Sequence, residues 1–122
     1  MARVLVVDDE EPILSIVAEV VEDMGHQVLR AVNGREALQV IRATPPEIVL
    51  SDVMMPFLNG LDLCRTIKAD PATKHIVVVL MSAVPADRGQ AVDADGFVHK
   101  PFSLEDVEAA IEDGLARVGS TR

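Results

Sequence analysis

Tryptophan and tyrosine are absent from this 122-residue chain, phenylalanine occurs three times and cysteine once. A single cysteine, Cys64, excludes an internal disulfide and any cysteine-based zinc cluster; its expected role is buried helix filler. Basic residues are scarce as well, with 11 Lys and Arg against 20 Asp and Glu, a formal charge of −9. That charge repels nucleic-acid phosphates, and no basic stripe or aromatic platform offsets it, so direct nucleic-acid binding is not expected. Long hydrophobic runs are missing too. The longest charge-free stretch, Ile76 to Ala86, falls short of the ~20 apolar residues of a membrane span. No basic segment followed by a long apolar region opens the chain, so no secretory signal is read and a cytoplasmic location is expected. No glycine-rich phosphate loop follows the first apolar run, which argues against nucleotide or flavin binding. His26, His75 and His99 are scattered, without the spacing of a metal site.

What is present is a recurrent pattern. Four apolar runs each end on a polar residue capable of chemistry: Val4 to Val7 on Asp8-Asp9, Ile48 to Leu50 on Ser51-Asp52, Val77 to Met81 on Ser82, and Gly96 to Val98 on His99-Lys100. Between them lie helical periodicities. Ile13, Ile16, Val17, Val20, Val21 and Met24 repeat at three- and four-residue steps, the signature of one buried helix face, with Pro12 in the first turn and Gly25 at the end. Gln27 to Val32 reads as a short strand, and Asn33 with Glu36 as a capping box for a helix carrying Ala37, Leu38 and Ile41. A third helix runs from about Leu61 to Ala69. Ser103 caps a last one, whose inner face is expected to hold Leu104, Val107, Ile111, Leu115 and Val118.

This alternation predicts one α/β domain over residues 1–122, its core about 3–118, built as a doubly wound parallel sheet. The flavodoxin-like strand order 2-1-3-4-5 puts strands 1 and 3 side by side at the switch point, where ligands bind beyond the carboxyl ends.

Strands ~4.8 Å apart let Asp8, Asp9 and Asp52 reach one ion from two sides. Magnesium suits such a site, with manganese as an alternative, because it takes carboxylate oxygens and keeps waters and phosphate oxygens as further ligands. Lys100, about two strand spacings away, can bring charge to a phosphate. Ser82 can donate a hydrogen bond to a phosphoryl oxygen, and Asp52, in the middle of the row, is the candidate nucleophile. Singly, each acid reads as a cap or turn residue. Together, at the ends of four strands in the order the topology needs, they read as a site.

VLVVDDEE, IVLSDVMMPFLNG, VVVLMSA and FVHKPF resemble the four signature segments of response-regulator receiver domains, the phosphoryl-accepting modules of two-component signalling. The resemblance spans about Arg3 to Val118. It implies that Asp8 and Asp9 hold magnesium, that Asp52 is the phosphoacceptor, and that the backbone carbonyl of Met54 is a further metal ligand. It also implies that Ser82 and Lys100 contact the phosphoryl group, that Phe97 is the switch aromatic, and that the Lys100-Pro101 bond is cis. The implied partners are a sensor histidine kinase or phosphotransfer protein and a downstream protein effector. Such a domain catalyses its own phosphorylation and dephosphorylation without being a stand-alone enzyme.

The chain departs from the family in one stretch. Ser82 and Lys100 are 18 positions apart, shorter than the family spacing by roughly one helical turn of 3.6 residues. A shortened or irregular fourth helix is therefore expected there, with an altered or absent standard dimer face; Asp93 stands where the family often has glycine. The sequence leaves oligomeric state open. An alternative function is a pseudo-receiver that binds partners without phosphate. A phosphatase of the haloacid dehalogenase type uses similar groups, but places its nucleophile on the first strand as D-x-D, the reverse of the order here.

Overall fold

The computed structural model describes residues 2–83 and 94–120. Strand β1 (Arg3–Val7) is followed by α1 (Glu11–Asp23), β2 (Gln27–Ala31), α2 (Gly34–Ala43), β3 (Ile48–Asp52), α3 (Gly60–Ala69), β4 (Val77–Ser82), β5 (Gly96–His99) and α4 (Leu104–Ser120). All five strands are parallel and lie in the order β2-β1-β3-β4-β5. This is the flavodoxin-like arrangement expected from the alternation of elements. The expected short fourth helix falls in 84–93, outside the described residues.

Alternation along the strands divides the core into two. Val4, Val6, Ile48, Leu50, Val77 and Val79 point to one face and pack with Leu14, Val17 and Val21 of α1 and Val107 and Ile111 of α4. Leu5, Val7, Val49, Val78 and Leu80 point to the other and meet Ala37 and Ile41 of α2 and Leu63, Cys64 and Ile67 of α3. Every residue of β3 and of β4 is buried, as parallel strands covered by helices on both sides must be. No helix among the described residues is long and apolar enough to cross a membrane.

Local signals set the helix starts. Asn33 Oδ1 accepts from the Glu36 amide at 2.8 Å, while the Glu36 carboxylate accepts from Val32, one residue outside a regular capping box, at 2.9 Å. Ser103 and Asp106 form the reciprocal pair, at 3.1 and 2.9 Å. Asn59 caps α3 through the Asp62 amide at 2.8 Å, a cap that the sequence reading passed over.

Two positions assigned to buried faces lie elsewhere. Ile16 is 47% exposed, because the stripe of α1 that meets the sheet is centred on Leu14, Val17, Ala18 and Val21. Leu104 is 53% exposed: it begins α4, and the helix reaches the core only at Val107 and Ile111. Strand β2 also stops at Ala31, one residue before Val32. Truncating Ile111 to Ala is expected to cost about 2–5 kcal/mol, the range for a cavity in a close-packed core. Leu104→Ala should stay within about 0.5 kcal/mol. Urea unfolding of the two variants reads the difference directly.

Candidate functional site

The parallel register carries the carboxyl ends of β1, β3, β4 and β5 to one rim. Val7 pairs with Ser51, Asp52 with Met81, and Ser82 with His99. Asp8 therefore follows β1 beside the end of β3, where Asp52 is the last residue. Ser82 ends β4, and Lys100 follows β5. Asp8, Asp52 and Ser82 are all buried. Lys100 Nζ lies 3.2 Å from Asp52 Oδ1 and 3.5 Å from Asp8 Oδ2, and so bridges the two carboxylates.

Three acids converge at this rim. One carboxylate oxygen from each of Asp8, Glu10 and Asp52 lies within 4.8 Å of the others. Glu10 joins because its amide donates to Asp8 Oδ1 at 2.9 Å, folding the chain after β1 back over the rim. The sequence reading did not single it out; the signal was the unbroken acidic run after β1, whose curl the sequence does not state. Asp9, expected among the ligands, is exposed and lines the cavity without joining this group. The cavity measures about 390 Å³, and Glu10, Asp52, Met54, Ala83 and Lys100 complete its wall. Met54 is 73% exposed. A larger concavity of about 600 Å³ lies between β5 and α4, but neither Asp52 nor Lys100 lines it. The chemistry sits in the smaller one.

The charges do not cancel. Burial raises the pKa of Asp8, opposed by the Glu10 amide and Lys100 and reinforced by Asp52 and Asp9. Burial likewise raises Asp52, against the pull of Lys100 and the Val53 amide. Burial by itself would lower Lys100, but attraction to Asp52 and Asp8 outweighs it and the ammonium is raised. Asp8 Oδ2 is buried and has no hydrogen-bond partner among the described residues. The ammonium 3.5 Å away gives it an ion pair but not a well-formed hydrogen bond. A buried anionic oxygen without a donor, among further carboxylate oxygens, is the donor set of a hard divalent cation. Asp8, Glu10 and Asp52 thus fit such an ion.

Two further expected features stand on β5 and just after it. Phe97 lies on β5, two residues before the partner of Ser82, and is 38% exposed. The Lys100-Pro101 bond is cis. The loop from β3 to α3 is closed beneath the cavity by the Gly60 amide, which donates to the Val53 carbonyl at 2.9 Å. A Cβ on Gly60 would stand 2.3 Å from the Asp52 carbonyl oxygen, so only glycine lets α3 start this close to the end of β3. Further along the loop Phe57 holds φ at 69°, a conformation that costs a non-glycine residue about 1–3 kcal/mol.

The family model described as "Response regulator receiver domain" matches residues 4–112. The phosphate regulon transcriptional regulatory protein PhoB of Pseudomonas aeruginosa is 34% identical over 120 residues, covering 95% of this chain and 52% of that protein. A response regulator receiver domain protein from Clostridium thermocellum superposes with a TM-score of 0.88 at 28% identity, covering 100% of both chains. The chemotaxis response regulator CheY4 of Vibrio cholerae gives 0.87 at 29%, covering 93% of this chain and 98% of that one. The chain spans about half the length of the curated relatives it matches.

The raised carboxyls dictate a pH dependence for the metal-free protein. A raised group contributes stability that is complete below its unfolded value, 3.8 for Asp8 and Asp52, and that is lost as pH rises through the folded value. Asp52→Asn should therefore melt above the wild type at neutral pH, and the gain should vanish as pH falls past that unfolded value. A series of thermal melts in chelator-treated buffer checks both the sign and the window. Gly60→Ala, which drives a Cβ into backbone, should lower stability by about 2 kcal/mol or more in urea.

Proposed function

This chain belongs to the response regulator receiver domain family, and from that premise we propose that it is a phosphoryl-accepting switch of a two-component phosphorelay, with Asp52 as the acceptor. The observation that carries the reading is the pairing of Asp52 with Lys100 at 3.2 Å inside a group of carboxylate oxygens no more than 4.8 Å apart.

The donor is a phosphohistidine on a sensor kinase or phosphotransfer protein. An Asp52 carboxylate oxygen attacks phosphorus, an O–P bond forms as the donor N–P bond breaks, and the departing imidazole keeps the electron pair and takes a proton. Positioning and charge supply most of the acceleration in such a transfer. Magnesium, or manganese in its place, would be held by Asp8, Asp9, Glu10, Asp52 and the Met54 carbonyl as far as its coordination number allows. When bound, it supplies positive charge to the transferring phosphoryl oxygens. Lys100 supplies the second positive charge, and its attachment to both Asp8 and Asp52 keeps it at the rim before the donor arrives. Ser82, buried at the end of β4, donates its hydroxyl to a phosphoryl oxygen of the product. Phe97 then follows the Ser82 movement from its partly exposed position, and the face around β5 changes its affinity for a protein effector. Water attack on the acyl phosphate at the same centre resets the switch.

Residues 3–118 act in this reading as one receiver unit in the cytoplasm. Its partners are proteins, because a charge of −9 opposes contact with nucleic-acid phosphates. Relatives named as transcriptional regulators support an output in gene expression, exerted through whatever the switched face engages.

Incubation with Mg²⁺ and acetyl phosphate should add one base-labile phosphoryl group to the intact protein, seen by mass spectrometry. The group should be missing from Asp52→Asn and from wild type treated with EDTA. An unphosphorylated wild type under these conditions overturns the assignment.

A further inference from the structure

Phe57 is the only non-glycine residue with positive φ among the described residues. The Leu58 amide donates across it to the Pro56 carbonyl at 2.8 Å. Residues 56–58 therefore form a γ-turn of the positive-φ kind, which is rare and strained. The core does not hold the aromatic ring in place, because Phe57 is 75% exposed. Its ring contact is with Arg35, whose guanidinium carbon lies 5.4 Å from the ring centroid, inside the ~6 Å range of cation–π attraction.

The backbone of Arg35 is fixed independently. It stands in the first turn of α2, capped by Asn33. Its neighbour Gly34 sits so close to the loop that a Cβ would lie 2.4 Å from the Leu58 carbonyl oxygen. Helix α2 thus meets the loop at both Phe57 and Leu58. At the other end the loop is tied to β3 by the Gly60 to Val53 hydrogen bond. Met54 and Met55 lie between the two attachments, Met55 buried beneath and Met54 in the wall of the acidic cavity. With its base tied and its tip strained, the loop keeps this path only while something holds the tip.

We propose that Arg35 and Phe57 are positioning residues, a latch from α2 that holds the β3–α3 loop in its strained turn and so presents the Met54 backbone to the cation site. This rests on the reading of the crevice as a divalent-cation and phosphoryl site. The latch acts at a distance: neither side chain lines the acidic cavity. Its loss lets residues 54–58 relax into other turns, so part of the binding free energy goes into ordering them again.

The test is Mg²⁺ titration calorimetry on the full chain, paired with thermal melting of the metal-free protein. Arg35→Gln and Phe57→Leu should each weaken Mg²⁺ binding about two- to fivefold, roughly 0.4–1 kcal/mol. The double variant should lose no more than either single one, because the two groups act as a unit. Arg35→Lys and Phe57→Tyr, which keep a cation and a ring, should recover most of the affinity, while metal-free melting stays unchanged throughout. Wild-type affinity in both single variants overturns the latch. So do losses that add in the double variant, or metal-free melting that falls in step with affinity. A wild type that takes up no Mg²⁺ overturns the cation-site reading itself, a separate result from variants that bind as wild type does.

Discussion

The hydrogen-bonded register of a parallel sheet forces Asp8, Asp52 and Lys100 into one crevice, where Glu10 folds in beside Asp8 and negative charge outweighs positive. Asp8 and Asp52 cannot move apart without breaking the pairing of β1 with β3, and both strands are anchored by side chains buried on two faces. The cost of crowding them appears as raised carboxyl pKa values and a buried oxygen with no donor among the described residues. Lys100 offsets part of it from the far side. A centre assembled this way gains from added positive charge.

Rigidity and freedom are distributed accordingly. Strands β3 and β4, which carry Asp52 and Ser82, are buried along their whole length. Strand β5 is at the sheet edge and has only Val98 buried, while Phe97 and His99 reach solvent. Within the proposed switch, a change at the rim reaches solvent most directly through β5, whose Phe97 and His99 are exposed. The β3–α3 loop adds a second coupling, from the acidic cavity to the first turn of α2, through a turn whose backbone is under strain.

Much of this was legible in the residues. Uncharged, largely β-branched runs such as Ile48 to Leu50 fit strands covered on both faces, and the polar residues that end them mark the rim. The helix faces were legible less finely. Apolar spacing placed Ile16 and Leu104 inward because both fit a three- or four-residue step, yet both are exposed. Periodicity defines a stripe but not its width, and the helix meets the sheet along only part of it. Glu10 was missed for a different reason. A run of acids after a strand does not say which of them turns inward, and that is decided by the hydrogen bond from the Glu10 amide to Asp8.

The sequence by itself determined the order of elements, the parallel sheet and the identity of the reactive side chains, because alternation of apolar runs and the chemistry of strand ends are local properties of the chain. Tertiary structure decided which oxygens face one another, which acid is left without a donor, and how a strained Phe57 comes to rest on Arg35. Those outcomes depend on distances between segments far apart in sequence, set only when two packed faces and a common register fix every strand end in space.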